Sequence, residues 1–159
     1  AIDRAESQWN KLAVVGVYGV AGAGARARRA GHVVDRGHLL QESQTLPCAV
    51  DSLDELLFAV RGDTRLRLDP ALGFDFYATD LVLQAQEAGL TSVVVDAYCE
   101  HWSDTPVEGK VPATLARRIA ASGALFEAKW KHRLPVSTPC FDIARPGDVQ
   151  ACADALAKA

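Results

Sequence analysis

Methionine is missing from all 159 residues, and no apolar run approaches the ~20 residues that a membrane-spanning helix requires. The longest, such as Leu12 to Val20, stop well short, so no membrane span is expected. Cysteine is sparse and scattered: Cys48, Cys99, Cys140 and Cys152 form no Cys-x-x-Cys pair and follow no secretory leader. That excludes a disulfide framework and a zinc module, and makes a reducing cytoplasm the expected compartment. Positive charge is also short. With 17 Lys and Arg against 20 Asp and Glu, the formal net charge is -3, which gives no general attraction to a phosphate backbone. Arg26, Arg28, Arg29 and Arg36 cluster only locally, and a nucleic-acid partner is not expected. The amphipathic opening Ala1–Glu6 without a leader, together with the missing methionine, is what part of a longer chain would show.

What the chain does hold is an ordinary globular composition, 49% hydrophobic and 23% charged, at a length suited to one domain with a single core. Lys11–Tyr18 is continuous, apolar and β-branched, as in a strand buried on both faces. From Gly19 to Gly31 the residues are glycine, alanine and arginine with Val20 the one large apolar side chain, which predicts a mobile loop. Val33-Val34 is a short strand candidate, and acidic residues precede a strand at Leu56–Val60. An aromatic loop follows at Leu68–Tyr77, then a helix over about Thr79–Ala88 with Gly89 at the position of a left-handed cap. Thr91–Tyr98 reads as a strand. After Pro112 the stripe Leu115, Ile119, Ser122, Phe126 and Trp130 predicts a long amphipathic helix, with Arg117, Arg118, Glu127 and Lys131 on its other face. Asp148–Lys158 reads as a last short helix. Strands alternating with helices imply an α/β fold.

Several stretches occur in a recognisable order. These are the strand with a Gly-rich exit (Val14–Gly22), Val50-Asp51-Ser52-Leu53-Asp54 before a strand, Phe76-Tyr77-Ala78-Thr79-Asp80-Leu81, Gln84–Leu90, and a strand ending in His101-Trp102-Ser103. In this order they resemble the second half of inverting GT-A glycosyltransferases of the family 2 type, chiefly a bacterial glycosyltransferase-like group. The resemblance runs over about Val14–Ser103, with a weaker echo at Phe126–Trp130 and Leu134-Pro135. It implies a partial, Rossmann-like GT-A fold: a mixed sheet flanked by helices, lacking the N-terminal nucleotide-binding half. The core would be 11–105 and a helical extension 112–159. The implied activity is transfer of a sugar from a nucleotide-sugar donor to an acceptor hydroxyl, with a divalent cation, Mn or Mg, in the full-length enzyme. The missing N-terminal half of the same chain would then be needed for donor binding and turnover. A non-catalytic carbohydrate-binding or regulatory module derived from such an enzyme is the alternative.

The resemblance also assigns roles. Asp80 is the expected general base, because inverting transfer needs a carboxylate to take the acceptor's proton. An aspartate at a helix start can equally be a cap, and the family often has an acid just before it where this chain has Thr79. His101 is the expected metal ligand, although the usual Asp-x-Asp partner is not in the chain. Asp51 and Asp54 fit a segment that faces the acceptor, or else a solvated turn, and Tyr77 and Trp102, with Phe76, fit an aromatic platform for a sugar ring, or else core packing. Gly22–Ala27 mimics a dinucleotide-binding GxGxxA, but the residues after it carry no apolar stripe and Asp35 comes too early for the ribose-binding acid.

Overall fold

The computed structural model describes residues 1–102 and 111–158, without the side chain of Lys158. Ser103, the end of the histidine motif, lies outside the described residues, as do 104–105 of the expected core and residue 159. Strand β1 (Leu12–Gly16) is buried along its whole length. It lies inside a four-stranded sheet, pairing parallel with β8 (Thr91–Val94) and antiparallel with β7 (Phe58–Val60). The two-residue β5 (Cys48–Ala49) adds to the far side of β8, giving the order β5-β8-β1-β7. Helices cover both faces, which is why β1 is apolar at every position. Val14 and Val94 pack on Ala78, Leu81, Val82 and Ala85 of α2 (Tyr77–Glu87). Val15, Val93 and Val95 pack on Ala5 of α1 (Ile2–Gln8). The chain is thus an α/β protein with a mixed sheet flanked by helices.

Beyond Val17 the chain enters a second sheet, where the expected mobile loop is instead a paired hairpin. Strand β2 (Tyr18–Ala21) pairs antiparallel with β3 (Arg28–Asp35), so Gly19 faces Ala30 and Tyr18 faces Gly31. The small residues that argued for a loop are what let these backbones close on each other. A Cβ at Gly31, where φ is +107°, would stand 2.1 Å from the Val17 carbonyl oxygen. One at Gly19 would stand 2.4 Å from that of Ser52. The tip keeps part of the expected character, for Arg26 and Arg28 remain exposed. β3 continues through a turn with positive φ at Arg36 and Gly37 into β4 (His38–Gln41), the pattern of a tight two-residue hairpin. β6 (Ser52–Leu53) borders β2, and β9 (Glu100–His101) runs parallel to β3.

Helix α3 (Ala113–Lys129) starts after Pro112, and its stripe packs Phe126 and Trp130 against Leu72, Phe76, Val136 and Val149. It crosses α4 (Asp148–Lys158) at Gly123, where a Cβ would meet Val149 Cγ1 at 2.2 Å. A short hairpin, β10 (Val136–Ser137) with β11 (Asp142–Ile143), joins the two helices. Glu127 departs from the expected solvent face: it is 4% exposed and accepts hydrogen bonds from Gly147 N (2.7 Å) and Val149 N (2.9 Å). Its carboxylate serves the free N–H groups at the start of α4 from inside the protein. Among the described residues no helix is long and apolar enough to cross a membrane.

Candidate functional site

Asp80 lies in the first turn of α2, directly after Phe76, whose φ of +64° bends the chain into the helix. It does not cap that helix. It is 0% exposed, and its carboxylate accepts from Trp130 Nε1 at 2.7 Å and from Gln84 Nε2 at 2.6 Å, with Lys129 Nζ 2.8 Å from Oδ1. Lys129 also reaches Asp69 at 2.8 Å. Burial acts to lower the Lys129 pKa, but the hydrogen bonds to Asp69 and Asp80 outweigh it and hold the ammonium charged. As folded here, the buried Asp80 ties α2 to the end of α3.

The open volume lies beside it, on the other side of Phe76 and Thr79. A cavity of about 540 Å³ is bordered by the loop after β6, the start of α2, helices α3 and α4, and the β10–β11 turn. Its size falls within the range of about 300–1,000 Å³ usual for small-molecule sites. Asp54 and Glu55 enter it side by side, half-buried. Burial pushes the Glu55 carboxyl up to about 8, and the charge of Asp54 adds to the rise against the hydrogen bonds of the Glu55 and Ala78 N–H groups. Burial raises Asp54 as well, while the Leu56 N–H, at 3.1 Å, and His101 favour its charged form. The Cys140 thiol, pushed up to about 12 by desolvation against the cavity wall and by the charges of Asp54 and Glu55, stays protonated although the residue keeps exposed surface. Asp75 is already engaged: Arg118 grips it with two bonds of 2.9 and 3.0 Å, and Ser122 Oγ donates to it at 3.1 Å.

Of the residues expected at the site, Asp54 lines this cavity and Tyr77 is bonded to the backbone of its neighbour Glu55. The Tyr77 hydroxyl donates to the Glu55 carbonyl oxygen at 3.3 Å, and its own pKa is raised by burial and then by Glu55 and Asp54. Asp51 is elsewhere, accepting from Gly22 N (2.6 Å) and Gln86 Nε2 (2.8 Å), so that it holds the hairpin to α2. Trp102 is 72% exposed and donates to Glu100 Oε2 at 3.3 Å, away from the cavity. His101 sits beside Asp35, with Nδ1 3.1 Å from Oδ1 at ion-pair distance but without hydrogen-bond alignment. Among the described residues no group of three or more His, Cys, Asp or Glu side chains is placed to hold a metal ion.

Neither a protein-family model nor a curated protein matches this chain. Glu55, Asp75, Arg118 and Cys140 were not foreseen as lining residues. Glu55 alone had a local signal, as the second acid of Asp54-Glu55; the others reach the cavity from segments far apart in the chain.

Proposed function

We propose that this chain is the acceptor-side half of an inverting glycosyltransferase of the GT-A type, and that the acceptor sugar enters the cavity at Asp54 and Glu55. The observation that carries the reading is the pair itself: two adjacent carboxylates lining a half-open cavity, one of them with a pKa of about 8. A general base is most effective when its pKa lies near the working pH. Glu55 would take the acceptor hydroxyl's proton while that oxygen forms its bond to the anomeric carbon and the bond from that carbon to the leaving diphosphate breaks. Asp54 would accept a hydrogen bond from a neighbouring hydroxyl. Sugar nucleotide and divalent cation would be held by an upstream segment, which in this reading extends the sheet along β7, an edge strand whose Val60 is exposed, as is Leu57 just before it.

The reading is tested on a polypeptide that joins this chain to its upstream segment, assayed for transfer from uridine and guanosine sugar nucleotides. Glu55→Gln should lower transfer by roughly 100- to 10,000-fold with folding intact, the span for loss of a positioned base. Asp80→Asn should lower it only in proportion to folded protein lost. An active Glu55→Gln enzyme would remove Glu55 from the chemistry, and a folded, inactive Asp80→Asn enzyme would return the base to Asp80.

A further inference from the structure

Opposite the carboxylates, the cavity wall is apolar. Leu115 and Ile119 of α3, Leu156 of α4 and Val111 before α3 line it, and the first three are only half-buried although they belong to the α3–α4 packing cluster. The volume has two unlike ends. Asp54 and Glu55 offer hydrogen-bond acceptors, and in its protonated form Glu55 also offers a donor, which suits a polyhydroxyl group. At the aliphatic end the polar neighbour on α3, Arg118, is already gripped by Asp75, which leaves little there among the described residues to match a second sugar.

We propose that the cavity takes an amphipathic acceptor, a sugar whose aglycone is an aliphatic chain, with the sugar at Asp54 and Glu55 and the chain along Leu115, Ile119 and Leu156. This inference rests on the sugar-acceptor reading above and adds to it the class of aglycone. An apolar tail drawn from water onto that wall adds affinity in proportion to the area covered, roughly fourfold for each methylene fully buried.

The test is a titration of the ¹⁵N-labelled chain with methyl and octyl glycosides of glucose, galactose and mannose, kept below micellar concentration, with 1-octanol as a control. The expected result is that an octyl glycoside shifts the amides of Glu55, Leu115 and Ile119 and binds at least about tenfold more tightly than its methyl counterpart. Leu115→Ser with Ile119→Ser should abolish that difference and leave methyl glycoside binding unchanged, and Glu55→Gln should weaken both ligands. Equal affinities for methyl and octyl glycosides would overturn the aglycone inference and leave the sugar site standing. Octanol binding as well as the octyl glycosides would show an aliphatic pocket without a sugar subsite and overturn both readings, as would no shift with any ligand. Circular dichroism of the double variant separates lost binding from lost fold; if it unfolds, Leu156→Ser serves as the second probe.

Discussion

Asp80 and Glu55 carry the same functional group on either side of the aromatic loop, and their surroundings differ. Asp80 accepts hydrogen bonds from Trp130 and Gln84 and has Lys129 Nζ 2.8 Å away. At Glu55 the backbone N–H groups of Glu55 and Ala78 oppose burial and the charge of the adjacent Asp54 without outweighing them. Trp130 is the sharpest probe of the first arrangement, because replacing it by phenylalanine keeps an aromatic ring and deletes only the indole donor and its ring. A fully buried oxygen then loses a charge-assisted bond, so Trp130→Phe should cost about 1–3 kcal/mol in urea unfolding. A change within about 0.5 kcal/mol, the level of an ordinary surface substitution, would show that the bond contributes little.

At the scale of elements, the clearest dependence is that of α4 on a side chain of α3. Glu127→Ala leaves Gly147 N and Val149 N without their acceptor and should destabilise the protein by about 1–3 kcal/mol, with amide exchange speeding first across 148–158. Uniform loss of protection across the fold would instead mean that α4 does not loosen separately. Local pattern was enough to read β1, α2, α3 and α4, because each carries a run or stripe long enough to fix its period, and Gly89 has the left-handed φ of +68° expected of a helix end. Pattern misread the β2–β3 hairpin, whose pairing depends on how closely two backbones approach, and Glu127, whose partner lies 20 residues on. Neither fact leaves a periodic trace in sequence.

The cavity belongs to the whole molecule. The Asp54-Glu55 loop was legible as acidic and Tyr77 as aromatic, but much of the rest of the wall comes from α3, α4 and the β10–β11 turn, 55 or more positions beyond Glu55. Only folding brings that wall over Glu55, so its acidity reports the assembled site. The folded protein retains this proton and the unfolded chain releases it as pH rises above about 4.5, so the group's contribution to stability is kept at low pH and lost as pH rises through about 8. Thermal melting should fall across that window, and less steeply in Glu55→Gln. The direct measurement is a carbon-13 titration of the Glu55 side-chain carboxyl in the folded chain. The account predicts a midpoint near 8, and a midpoint near the ordinary 4.5 would contradict it.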